Sequence, residues 1–261
     1  MPEGDTVHRT AAALRRALLG RPLRRVELPQ RPPPLPRLGS IVDRVEARGK
    51  HLLVRSDDGL TVHTHQRMTG SWHLYRPGER WQRSPRAARV ILGVDDAVAV
   101  CFASPVVEVL DGPAVARHPA LRQLGPDLCD PGADVPTVLA RARHLGTGRG
   151  IGDVLLDQRV ASGIGNVYRC DVLFLHGIHP DRPVDALDDQ LLRSLFEAAG
   201  ELLRANLDGS RRTTVPGAPA GGLWVHGRGG QPCRRCQEPI VVERRGAHAR
   251  YRYRCPGCQP A

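Results

Sequence analysis

The chain has 261 residues, 41% hydrophobic and 25% charged, a composition that fits a folded protein long enough for two domains with a core each. No stretch of 18 apolar residues could span a bilayer, and the start MPEGDTVHRT carries two acids where a signal peptide needs a basic start and an apolar run. A net charge of +11 points to a polyanionic partner, nucleic acid ahead of an anionic membrane surface.

Behind the first four residues the pattern is an amphipathic helix. Val7, Ala11, Leu14 and Leu18 share a face, Asp5 or Thr6 can cap it, and Gly20 with Pro22 ends it. Residues 27–40 are proline-rich and read as a surface loop. The pattern then turns β. Strands are predicted over 41–48, 51–55, 60–65, 90–94, 98–102 and 106–110, with hairpin turns at Asp57-Asp58-Gly59 and Asp95-Asp96. Short strands at this spacing predict a sandwich or barrel. Residues 129–135 read as a linker. Beyond it helices are predicted over 136–144, 152–157, 166–176 and 186–207, followed by a polar Gly/Pro loop over 210–222.

Seven cysteines without a signal peptide point to a reducing compartment. Cys233-x-x-Cys236, eighteen residues, then Cys255-x-x-Cys258 has the four-thiolate spacing of a zinc ribbon. Strands over 240–244 and 250–254 can form a hairpin between the two pairs. A closed four-cysteine site leaves no position for water, so this Zn2+ is expected to be structural. Arg244, Arg245, Arg250, Arg252 and Arg254 give the hairpin a density that suits phosphate binding. Cys101, Cys129 and Cys170 have no partner spacing, and Cys101 reads as a core residue.

Four further features carry chemistry. Of 38 Lys plus Arg only Lys50 is a lysine, which suggests a place where guanidinium cannot replace ammonium. Removal of Met1 would make Pro2 a secondary amine whose neutral form can attack carbon, and the positive end of the following helix favours that form. Glu3 beside it can donate a proton. Gly163-Ile164-Gly165-Asn166 opens a helix and can present N–H groups and an amide to a phosphate. The loop 66–70 places Met68, an apolar wedge, next to Arg67.

Several segments together resemble the formamidopyrimidine-DNA glycosylase/endonuclease VIII family nearly end to end. They are Pro2-Glu3-Gly4, Arg48-Gly49-Lys50, the loop 66–70, His118-Pro119 with Leu124-Gly125-Pro126-Asp127, Leu156-Asp157-Gln158, the run 163–168, and Arg250 ahead of Cys255. The resemblance implies an α+β fold. An N-terminal two-layered β-sandwich flanked by helices would span 2–128 and a linker 129–135. A helical domain with a helix–two-turn–helix would span 136–222 and a four-cysteine zinc hairpin 223–261, with DNA in the cleft between. It implies a monomeric, cytoplasmic, nucleoid-associated DNA glycosylase and AP lyase of base-excision repair, with damaged DNA as its partner.

By position, Pro2 matches the Schiff-base nucleophile on C1′ and Glu3 the acid that assists sugar opening and base loss. Lys50 matches the lysine at the phosphate beside the lesion, and Arg250 the zinc-finger arginine. Asn166 matches the phosphate-binding asparagine, and Arg67, Met68 and Thr69 the loop that fills the hole left by a flipped base. Gln123 stands where some relatives have an arginine that contacts DNA. The shortened loop over 210–222 and the opening Gly4-Asp5-Thr6-Val7-His8 look like the endonuclease VIII type that prefers oxidised pyrimidines, whereas Arg67-Met68 resembles the 8-oxoguanine type. Two other readings start from the same residues: a catalytically silent DNA-binding protein on this scaffold, and a zinc-ribbon RNA-binding protein supported by charge and the cysteine pairs.

Overall fold

A computed structural model describes residues 2–30, 34–209, 211–245 and 250–261, the side chains of Arg245 and Arg250 excepted. The chain divides into two compact units, Met1–Arg122 and Gln123–Ala261. The first opens with α1 (Gly4–Leu18), whose buried stripe is the predicted one: Val7, Ala11, Leu14 and Leu18. Its N-cap is Glu3 rather than Asp5 or Thr6. The helix begins at Gly4, so Asp5 lies inside the first turn, where its carboxylate faces the positive helix end and Arg9 at 3.4 Å.

Among the described residues eight strands follow: β1 (Arg25–Glu27), β2 (Val42–Arg48), β3 (His51–Ser56), β4 (Leu60–His65), β5 (Ser71–Tyr75), β6 (Ala88–Gly93), β7 (Val98–Phe102) and β8 (Val106–Asp111). They form two antiparallel four-stranded sheets, ordered β2-β3-β4-β8 and β1-β6-β7-β5. Alternation along each strand decides what faces inward. Val45, Leu52, Val54 and Val62 of one sheet share a core with Val90, Leu92, Ala99 and Cys101 of the other, and the α1 stripe joins them. The result is a two-layered sandwich. Strand β7 is buried along its whole length, because Val98, Val100 and Phe102 face a second cluster containing Tyr75 and Trp81. Two short helices complete the unit, α2 (Gly112–Arg117) and α3 (Pro119–Arg122). Asp111 caps α2 by accepting from the Ala114 amide at 2.7 Å.

The second unit is helical: α4 (Val135–Gly146), α5 (Ile151–Val154), α6 (Asn166–Leu175) and α7 (Asp189–Ala205). The last starts later than predicted, because Val184–Ala186 is a 3-10 turn and Asp188 caps the helix by accepting from the Leu191 amide at 2.7 Å. Val138, Ile151, Ile164, Tyr168, Phe196 and Leu203 lie in its core. Residues 124–128 pack against this unit, with the Gly125 amide on Gln158 O at 2.8 Å and Leu128 in the same core. Strands β9 (Val241–Arg245) and β10 (Arg250–Arg254) form the predicted antiparallel hairpin. It rests on α6 through a cluster of Cys170, Phe174, Val225, Ile240 and Cys255. Among the described residues no helix is long and apolar enough to cross a membrane.

Candidate functional site

In the first unit, Pro2 is half-buried just ahead of α1. Glu3 has no exposed surface, and its backbone carbonyl accepts from the Val7 amide at 3.1 Å. Lys50 is half-buried in the two-residue turn that joins β2 to β3, between the paired Arg48 and His51. Gly49 takes φ +56° there, a backbone that such a turn demands.

The loop after β4 is a tight turn closed by the Gly70 amide on Gln66 O at 2.9 Å. A Cβ on Gly70 would lie 2.8 Å from Gln66 Cα, so the turn requires glycine. Arg67 is held at φ +46°, a region that non-glycine residues seldom occupy. Arg67 and Met68 project outward, Met68 with 70% of its surface exposed. Thr69 differs from them: its hydroxyl donates to Ala103 O at 2.9 Å and anchors the loop.

In the second unit, Asn166 is the first residue of α6 and is buried. Its amide nitrogen donates to Tyr251 O at 2.8 Å on the cysteine hairpin, and its oxygen accepts from the buried Arg169. Both polar atoms of the Asn166 side chain are therefore engaged within the protein. Gln158 holds the preceding turn by donating to Leu156 O at 2.9 Å and Ile164 O at 3.0 Å, and by accepting from the Gly163 amide at 3.1 Å. Gln123 is exposed in the turn after α3. Arg250 pairs with Arg245, the last pair of the ladder before residues 246–249, and its side chain lies outside the described residues. Arg252 and Arg254 are already engaged. Arg252 is buried against Asp181 and Glu243, and Arg254 reaches Glu243 at 3.1 Å. The expected phosphate-binding density of the hairpin is reduced by these two.

Asp171 was not singled out from the sequence. Its buried carboxylate accepts from the amides of Trp224, Val225 and His226, each at 3.0 Å, and from the Thr214 hydroxyl. It ties α6 to the segment leading into the cysteine hairpin. Arg169 and Asp171 are opposite charges inside an apolar helical run, the one signal that could have flagged them.

The four cysteines converge. Cys233 Sγ lies 3.8 Å from Cys258 Sγ, Cys236 Sγ 3.3 Å from Cys255 Sγ, and Cys258 Sγ 3.6 Å from Cys236 Sγ. Disulfide sulfurs sit at about 2 Å. The corners of a tetrahedron with metal–sulfur bonds of about 2.3 Å are about 3.8 Å apart. The Arg235 and Cys258 amides point at Cys233 Sγ and Cys255 Sγ, at 3.3 and 3.4 Å, as thiolate acceptors require. This cluster can hold a metal ion. Burial raises the Cys101 thiol to about 12, as expected of an inert core residue.

Two family models match the chain: the formamidopyrimidine-DNA glycosylase N-terminal domain over residues 1–105 and the formamidopyrimidine-DNA glycosylase H2TH domain over residues 124–215. The chain is 43% identical to probable endonuclease 8 2 of Streptomyces coelicolor, over 99% of this chain and 94% of that protein. It is 39% identical to the DNA-(apurinic or apyrimidinic site) lyase Nei2 of Mycolicibacterium smegmatis, over the whole of both. Fpg of Lactococcus lactis, solved in complex with DNA containing Fapy-dG, superposes with a TM-score of 0.81 at 22% identity over all of both chains, a likeness of fold. Sandwich, helix–two-turn–helix and four-thiolate hairpin together define a DNA glycosylase with AP lyase activity. The chain belongs to the formamidopyrimidine-DNA glycosylase/endonuclease VIII family, on its endonuclease VIII-like branch.

Proposed function

We propose that this enzyme excises oxidised bases from DNA, pyrimidines before purines, and then cuts the strand at the resulting site through an imine on Pro2. It would act as a monomer on nucleoid DNA. The observation that carries the reading is the placement of Pro2 at the head of α1 beside the wholly buried carboxyl of Glu3. After loss of Met1, the Pro2 nitrogen attacks C1′ of the damaged nucleotide. The glycosidic bond breaks, and the base leaves with a proton that Glu3 helps to deliver. The amine gives up its proton, the C1′–O4′ bond opens as Glu3 helps to protonate O4′, and the iminium so formed at C1′ draws electrons from C2′. Loss of the C2′ proton breaks the C3′–oxygen bond, and a second elimination breaks the C5′–oxygen bond. Lys50 and Arg250 would hold the flanking phosphates, Asn166 would order the helix start that meets another, and Gln123 would take the place of the arginine with which some relatives contact DNA. Arg67, Met68 and Thr69 would fill the vacated stack, with Met68 as the wedge and Thr69 as its anchor. Cys233, Cys236, Cys255 and Cys258 would hold Zn2+, which folds the hairpin and supplies no reacting group.

The pyrimidine preference is supported by the loop after α7. Thr214 N and the Thr213 hydroxyl both bind Gly222 O at 2.8 Å, which folds the segment back on itself and leaves little chain to cap a purine. Exposed Met68 beside Arg67 favours a second reading, with 8-oxoguanine as the preferred base. Borohydride treatment during turnover should cross-link the enzyme to DNA carrying thymine glycol or dihydrouracil more than to DNA with 8-oxoguanine. Pro2→Ala should lose the cross-link and retain DNA binding. Active enzyme without any adduct would refute the imine.

A further inference from the structure

The outer face of the β2-β3-β4-β8 sheet gathers side chains that the chemistry above does not use. His51 lies on β3, His63 and His65 on β4, Glu108 on β8, and His118 between α2 and α3. Strand pairing sets His63 opposite Glu108 and His51 opposite His65. His63 has no exposed surface. Its Nδ1 is 2.8 Å from Glu108 Oε2, and its Nε2 is 2.8 Å from His51 Nδ1. His118 Nε2 is 3.1 Å from the same Glu108 oxygen, and the Leu121 amide donates to His118 Nδ1 at 3.3 Å. The His51 and His65 rings lie 4.6 Å apart.

These contacts allow one arrangement of protons. Burial opposes ionisation of Glu108, but the bonds from His63 and His118 outweigh it and hold the carboxyl below its usual range. A carboxylate only accepts, so His63 carries its proton on Nδ1. Neutral His63 then has its lone pair on Nε2 and accepts from His51 Nδ1–H. The remaining lone pair of His51 is on Nε2. Burial is the largest cause that keeps these imidazoles neutral: it lowers His63, and with nearby charges including Lys50 it takes His51 to about 2 and His65 to about 4. Arg67 also acts on His65, and His118 on His51 and His63. His63, Glu108 and His118 are close enough to share a metal ion. The Leu121 amide argues against it, since it places the His118 proton on Nε2, the atom a metal would need.

We propose that Glu108 and His63 are positioning residues that lock His51 as its Nδ1–H tautomer, so that its neutral Nε2 can receive and aim the ammonium of Lys50, the residue before it in the β2–β3 turn, when that ammonium meets a phosphate. This rests on the reading of Lys50 as the phosphate cation and adds what orients it. A neutral acceptor directs the ammonium and leaves its charge for the phosphate. A lysine has three donors on one rotatable head and can bind an imidazole and a phosphate together, which suits its place in a chain otherwise committed to arginine.

The test uses the zinc-loaded, full-length enzyme and a duplex with a tetrahydrofuran abasic analogue. Imidazole nitrogen NMR at pH 7 should show His51 and His63 each with a protonated Nδ1 and a bare Nε2, and Glu108→Leu should abolish that signature. Glu108→Leu and His63→Phe should weaken binding about three- to tenfold, the range for one lost hydrogen bond. His63→Gln, whose amide can donate to Glu108 and accept from His51, should restore it. In combination with Lys50→Ala, Glu108→Leu should weaken binding no further. The opposite tautomers, an equal loss in His63→Gln and His63→Phe, or a Glu108→Leu effect independent of Lys50 would each overturn the proposal. Unchanged binding by Lys50→Ala alone would instead overturn the role of Lys50 itself.

Discussion

Asp171 is the side chain on which the second unit most visibly turns. Three backbone amides and a hydroxyl converge on its buried carboxylate from the segment 214–226. Each buried N–H that loses its partner costs about 1–3 kcal/mol, so Asp171→Ala should destabilise by about 3 kcal/mol or more. Asp171→Asn should cost less, because one oxygen still accepts while the new NH2 group faces donors. Denaturant midpoints of the three proteins would rank them, and equal midpoints would remove Asp171 from this role. The charge itself was legible, as an acid within the apolar run of α6. Its partners were not, since they lie 43 to 55 residues along the chain. Lys50 was legible for the opposite reason: its rarity among the bases is visible without coordinates.

Elements with a clean hydrophobic period were readable. Strands β4 and β7 occupy the predicted residues, because alternation in one and an unbroken apolar run in the other are both strand signatures. Strands β1 and β5 were missed: one has three residues, and the other has mostly half-buried positions with no alternation. Helices α2 and α3 are too short for a helical period to show. The turn between α5 and α6 depends on charge as well as on glycine. Asp157 accepts from Arg159 at 2.6 Å and from Arg149 at 3.0 Å, and these bonds, the Arg159 bond foremost, lower its pKa to about 2. An ordinary aspartate titrates near 3.9. The stabilisation is therefore complete above about pH 4 and is lost as pH falls toward 2. Melting temperatures from pH 6 to pH 2 should show a loss in the native enzyme that Asp157→Asn lacks over that window, the variant being the less stable at pH 6. Parallel curves would mean that the two arginines do not hold this turn.

At the scale of the whole chain, the number of basic residues overstates what is free to meet DNA. The count of 38 Lys plus Arg treats every arginine alike, but Arg252 is buried in a triad with Asp181 and Glu243, and Arg143 spends its guanidinium on Val184 O, Leu187 O and Asp189. Composition shows a charge and not whether it is already partnered. The cysteines are different, because spacing alone foretold which four meet. If they hold Zn2+ as proposed, its removal should be felt unevenly. The hairpin buries little apolar surface of its own and reaches the helical core through Cys170, Phe174, Val225 and Ile240. The sandwich has separate cores of its own, the larger with sixteen buried residues among those described, none of them one of the four clustered cysteines. A chelator should therefore speed hydrogen exchange first in peptides covering 233–258, and next along α6 where Phe174 loses its cover, while peptides from β3, β4 and β7 stay protected. Uniform exchange throughout the chain would mean that the four thiolates stabilise the protein as one cooperative body, and unchanged exchange would mean that the hairpin stands without metal.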